Sequence, residues 1–183
     1  MKKFDIWPGH AIALLLRKDW HGLLDWCQVW TECDPENANA WFYLAFAYDN
    51  LKLYDDAIEA YGQAILNDPE LIIAWISLGI SYGELKRYDD AIEAFRQTLR
   101  INPEEEDAWC YIGISYHSLN RHEEASEAFC QVLRINPEYA DERYNHGVSC
   151  ARSGDRSTAL DAVEKLRYIN PKLADKLLAL IQW

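Results

Sequence analysis

Five of the six prolines in this chain, Pro35, Pro69, Pro103, Pro137 and Pro171, stand 34 residues apart. Trp7, Trp41, Trp75 and Trp109 keep a second grid of the same period. Self-similarity at a fixed period of this length marks an array of small units, none of which can bury its apolar face alone. Cutting the chain two residues after each proline gives five repeats without insertions, 4–37, 38–71, 72–105, 106–139 and 140–173, with 174–183 left over.

Counted from the first residue of each repeat, position 4 holds the tryptophans and then Arg143. Position 8 is always small: Ala11, Ala45, Gly79, Gly113, Gly147. Position 11 is Leu14, Tyr48, Tyr82, Tyr116 and Cys150; position 24 is Cys27, Tyr61, Phe95, Phe129 and Val163. Positions 4, 7, 8 and 11 recur at three- and four-residue steps, as do 20, 21, 24, 27 and 28. Each set is one face of an α-helix, so every repeat is a pair of helices, A and B, joined near positions 15 to 17. The small residues at positions 8 and 20 are expected to face each other. The acidic pairs Asp55–Asp56 and Glu123–Glu124 are read as capping the second helices. Asn-Pro and Asp-Pro end each helix B, because proline disfavours helical geometry in the residue before it.

The run Trp75-x-x-Leu78-Gly79-x-x-Tyr82, followed by Ala91, Phe95 and Pro103, resembles the tetratricopeptide repeat. The middle three repeats match that pattern closely and the first and fifth are degenerate. The resemblance implies an all-α fold: a right-handed α-solenoid of five helix-turn-helix repeats, with the A helices lining a concave groove. The segment 174–183 is expected to be a cap helix whose Leu177, Leu180 and Ile181 cover the last pair. The family's members are mostly protein-interaction modules, although a fold alone does not set a function.

The resemblance turns positions 2, 5, 6, 9, 12 and 13 of helix A towards the groove, and helical geometry independently places 2, 5, 9 and 12 on one stripe. The expected groove residues are Asn39, Phe42, Phe46 and Asp49 in the second repeat, and Ile73, Ile76, Ile80 and Glu84 in the third. The fourth contributes Asp107, Cys110, Tyr111, Ile114 and His117, and the fifth Asp141, Tyr144, Asn145, Val148 and Arg152. An exposed apolar stripe marks an interaction surface; the alternative is that these side chains only thicken the packing between A helices. The family's grip on a terminal carboxylate needs Lys at position 5 and Asn at position 9, and both are missing here.

The net charge is −12, and residues 38–139 hold 18 acids against 7 bases. That balance argues against nucleic acid, whose phosphates require clustered Lys and Arg. It suits a partner segment with an apolar core and basic flanks. The apolar run Ala11–Leu16 is too short to span a bilayer. Lys2 and Lys3 hint at a leader, but Asp5 and Pro8 interrupt it, so the expectation is a cytoplasmic protein without membrane insertion. Five cysteines without a C-x-x-C pair are read as buried free thiols, not as a disulfide or zinc framework.

Nothing in the sequence composes a catalytic or metal site. His10 and His146 occupy position 7, where core or partly exposed roles suffice, and the spacing of His117 and His122 fits no zinc pattern. The expectation is a non-enzymatic adaptor without cofactor that binds another protein in its groove. The alternative is self-association through the terminal repeats and the helix ending at Trp183. Trp20, Trp26 and Trp30 in the first repeat either cap the core or form a docking face.

Overall fold

The computed structural model describes residues 7–182. Lys2, Lys3 and Asp5 of the leader reading, the first residues of repeat one, and Trp183 lie outside the described residues. Those described form eleven helices and no strand: α1 (Trp7–Leu16), α2 (Trp20–Cys33), α3 (Ala38–Asn50), α4 (Tyr54–Asn67), α5 (Ile72–Glu84), α6 (Tyr88–Ile101), α7 (Glu106–Ser118), α8 (His122–Ile135), α9 (Ala140–Ser153), α10 (Arg156–Ile169) and α11 (Pro171–Ile181). Every repeat is therefore a helix pair, as its two periodic stripes require. Contacts gather into two units, Met1–Gln97 and Thr98–Trp183.

In the first unit, α2 packs on α3, α3 on α4 and α4 on α5. A Cβ built on Gly79 would lie 2.5 Å from the Phe95 ring. The glycine at position 8 therefore makes room for the aromatic at position 24 of the same repeat. Gly113 repeats the arrangement in the second unit, 2.8 Å from the Phe129 ring. Both rings are buried.

The turn within each repeat is a backbone device repeated at 34 residues. Lys18, Lys52, Lys86 and Asn120 all have φ between 56° and 62°, and Gly154 has φ 94°. All five are position 15. At Lys86 the amide donates to the Gly83 carbonyl (2.9 Å), and the next amide, Arg87, donates to the Tyr82 carbonyl (2.9 Å). This left-handed stop satisfies the last carbonyls of helix A. It recurs at Lys18, Lys52 and Asn120.

The proline and tryptophan grids are tied together by hydrogen bonds. The indole N–H of Trp41 donates to the Pro35 carbonyl (2.7 Å), Trp75 to Pro69 (2.9 Å) and Trp109 to Pro103 (3.0 Å). In the fifth repeat the Arg143 guanidinium takes the same role on Pro137 (2.6 Å), which accounts for the arginine on the tryptophan grid. The acidic pairs lie inside α4 and α8 rather than at the N-cap positions, which Leu53 and Arg121 hold without a side-chain cap hydrogen bond. Their carboxylates sit in the first turn, favoured by the helix dipole, and Glu124 also pairs with Arg121.

The cap helix begins at Pro171 rather than at 174, because Asn170 accepts from the Leu173 amide and proline is pre-formed for a first helical turn. Its Leu177 fills the space a side chain at Gly147 would need, and Ala174 and Ile181 are buried with it. At the other end Trp7 packs on Trp26 (4.8 Å) and Trp30 (6.1 Å), and Trp26 Nε1 donates to the Trp7 carbonyl (3.3 Å). Leu23 and Trp30 are fully buried, so these indoles cap the first unit's core.

Candidate functional site

In the first unit the expected surface is built from α3 and α5, which lie side by side. Phe42 and Phe46 stack at 6.2 Å, and Trp20 meets Phe46 edge-on at 6.0 Å. Asn39 and Glu84 are exposed, and Phe42, Phe46, Asp49 and Ile80 are half-buried. Ile73 keeps 49% of its surface but Ile76 only 8%. Ile76 therefore belongs to the packing between helices, whereas Ile73 faces solvent. The rim is acidic. Asp49 accepts from the Ser81 hydroxyl (2.9 Å), which has the Ser77 carbonyl at 3.0 Å as its alternative acceptor. Burial raises the Asp49 carboxyl above its ordinary range; the Ser81 hydrogen bond opposes this and the Glu84 charge adds to it. Tyr54 donates to Glu84 at 3.3 Å.

In the second unit the expected residues of α7 and α9 do converge. Ile114, His117, Tyr144, Asn145, Val148 and Arg152 line a common cleft of about 340 Å³ with Ser118, Phe129 and Leu180. Ile114 is 43% exposed, while Val148 at 6% forms its closed floor. Arg152 stands at the rim, its guanidinium donating to His117 Nε2 at 3.2 Å. With Nε2 accepting, the imidazole proton sits on Nδ1, which faces Ser149 Oγ at 3.5 Å. Burial first, then the charges of Arg152 and His122, hold His117 below the ordinary imidazole range, so it is neutral at pH 7. The Lys176 ammonium lies over the Tyr144 ring at 4.9 Å.

Asp107, Cys110, Tyr111 and Asp141 lie on the same helices without lining that cleft. Asp107 and Asp141 are exposed. The Cys110 thiol donates to Glu142 (3.7 Å), and burial with that carboxylate pushes its pKa up to about 12. It is a protonated thiol and no nucleophile. Cys27 and Cys150 are buried as read from the sequence, but Cys33 and Cys130 are exposed, so burial does not describe the whole set. Among the described residues no group of three His, Cys, Asp or Glu side chains is placed to hold a metal ion, and no helix is long and apolar enough to cross a membrane.

The stripe argument missed the serines at position 10. Ser81 and Ser149 are fully buried, and each reaches position 12 of the preceding repeat, Asp49 and His117. The signal was in the sequence: Ser81, Ser115 and Ser149 are also 34 apart. Leu180 carried no such signal, since α11 belongs to no repeat.

Comparison with solved structures finds this helical arrangement again. A crystal structure of MamA protein is 23% identical, with 93% of each chain covered and a TM-score of 0.84. MamA 41-end from Desulfovibrio magneticus RS-1 is 18% identical, covering 94% of this chain and 97% of that one, at 0.83. YrrB, described as a TPR protein with an unusual peptide-binding site, is 22% identical, covering 94% and 90%, at 0.81. At these identities the likeness is one of fold. No curated protein matches the sequence significantly. Tetratricopeptide-repeat profiles match residues 26–59, 72–105 and 106–139, together more than half of the sequence. With its helix pairs and two interlocked 34-residue grids, the chain belongs to the tetratricopeptide-repeat family.

Proposed function

We propose that the chain is a non-catalytic interaction scaffold that binds an apolar or amphipathic segment of another protein on the concave-side residues of its A helices. The observation that carries this reading is the cleft of the second unit, where Ile114, His117, Tyr144 and Val148, chosen from helical spacing, and Asn145 and Arg152, implied by the family resemblance, line one open space. Apolar walls with a few placed polar groups suit a peptide segment. In the first unit Phe42, Phe46 and Ile73 beside Asp49 and Glu84 favour a segment with basic flanks. The family, and a peptide-binding neighbour in YrrB, support a polypeptide as the ligand.

The test uses Ile114→Glu and Arg152→Ala. A charge at half-exposed Ile114 stays hydrated, so both variants should fold normally. Peptides selected against the wild-type protein from a random display library should lose affinity for Ile114→Glu by well over tenfold, given roughly 1.5–3 kcal/mol per buried aliphatic side chain. Peptides that bind both variants at wild-type strength would remove the cleft from the interaction.

A second reading rests on α1. Its ten residues bury only Ala11, leaving Ile12 exposed and Leu16 at 76%. Such a helix favours self-association through the terminal repeat. Light scattering over a range of concentrations decides it: a monomer throughout would exclude this reading.

A further inference from the structure

The third and fourth repeats each hold an arginine in the same slot. The Arg87 guanidinium lies over the Tyr82 ring at 4.6 Å and bonds the Asp90 carboxylate at 2.7 Å. Arg121 lies over Tyr116 at 4.5 Å and bonds Glu124 at 2.7 Å. The arginine is position 16, its ring is position 11 and its carboxylate is position 19.

In the second repeat the ring and the carboxylate are present, as Tyr48 and Asp56, but position 16 is Leu53. Leu53 is 45% exposed, and a cleft of about 360 Å³ lies open, lined among others by Trp41, Tyr48, Asp56 and Glu59. Each lining residue of this cleft has its identical counterpart in the third repeat, Trp75, Tyr82, Asp90 and Glu93 included. The guanidinium that stands between ring and carboxylate in the third repeat is missing here. Both rings are held: Trp41 by its bond to the Pro35 carbonyl and Tyr48 by accepting from Gln28 Nε2 at 3.3 Å. Among the described residues, neither Asp56 nor Glu59 has a hydrogen-bonding or cationic partner.

We infer that this slot on the second repeat receives an arginine side chain from another polypeptide, which takes the place Arg87 and Arg121 fill from within the chain. A planar guanidinium stacks on a ring and bonds a carboxylate through its fork at once, which a lysine ammonium does not match. The occupant is an arginyl residue of a polypeptide because that is what fills the equivalent slots. The slot lies on a different face of α3 from Phe42 and Phe46, so this assignment stands apart from the peptide-binding surface described above.

The probe is N-acetyl-arginine amide, titrated into the full chain while the Trp41 indole N–H is followed by NMR. The expected result is a saturating shift at Trp41, with the citrulline analogue giving none and the lysine analogue binding several-fold more weakly. Leu53→Arg supplies the missing guanidinium from within. The backbone at Leu53 (φ −89°, ψ 65°) already matches that of Arg121 (φ −88°, ψ 72°), so the variant should fold normally, checked by its melt. It should weaken the probe at least tenfold, and Asp56→Asn should weaken it too while leaving the rings in place. No shift at Trp41, equal response to citrulline, or unchanged binding by Leu53→Arg would each overturn the proposal. Sedimentation separates the sources: a concentration-dependent dimer that Leu53→Arg abolishes would put the arginine on a second copy, and a monomer that still binds an arginine-bearing peptide would put it on a different protein.

Discussion

Trp75 Nε1 donates to the carbonyl of Pro69 at 2.9 Å, and this bond explains why tryptophan and proline keep a constant six-residue offset. The proline ends one helix B; the indole of the next helix A fastens the turn that follows. Trp75→Phe keeps an aromatic six-membered ring and loses the pyrrole ring with its donor. It should cost about 1 kcal/mol in a denaturant melt, the usual worth of one hydrogen bond. A cost indistinguishable from zero would show that the turn holds without it.

Gly79 is required by the Phe95 ring, which leaves no room for a side chain at position 8. Gly79→Val should destabilise by roughly 1–3 kcal/mol through overpacking. Pairing it with Phe95→Leu should recover part of that loss, and a simple sum of the two single effects would contradict the direct contact.

The left-handed stop at position 15 carries a lysine where glycine costs less. Lys86→Gly should stabilise by roughly 0.5–1 kcal/mol, since relief of the φ 59° strain outweighs the added chain entropy. Gly154→Ala, at φ 94°, should cost about 1 kcal/mol or more. Opposite signs for these two changes in thermal melts are the expected outcome.

His117 gives the cleft a pH dependence whose sign follows from its environment. Its folded pKa lies below the ordinary imidazole value of about 6.5, so the unfolded chain binds the proton more readily. The stability His117 contributes is present above that value and is lost as pH falls through the interval between the ordinary and the lowered pKa. Protonation also turns Nε2 from acceptor to donor, facing the Arg152 guanidinium. His117→Gln should flatten this part of the stability curve. An unchanged slope between pH 7 and pH 5 would show that other groups govern it.

The division of labour between sequence and tertiary structure is clearest at neighbouring positions of one helix. Period, helix pairing, the small residue at position 8 and the aromatic at 24 are local regularities, and each could be read from spacing because a helix repeats its faces every 3.6 residues. Which partner fills a given face is not local. Gly79 lies against the Phe95 ring across the pair, a meeting that the spacing within either helix does not name. Ile73 and Ile76 share a stripe three residues apart, yet one is exposed and the other buried, because the depth of a side chain at the edge of a stripe depends on where the next helix lies. The convergence of Ile114, Tyr144, Val148 and Leu180 on one cleft has the same origin: α11 joins from outside the repeat, and only packing could bring it there. The open slot beside Tyr48 belongs to both levels. The sequence shows Leu53 where Arg87 and Arg121 stand in the next two repeats, and the fold turns that substitution into an empty place between a ring and a carboxylate.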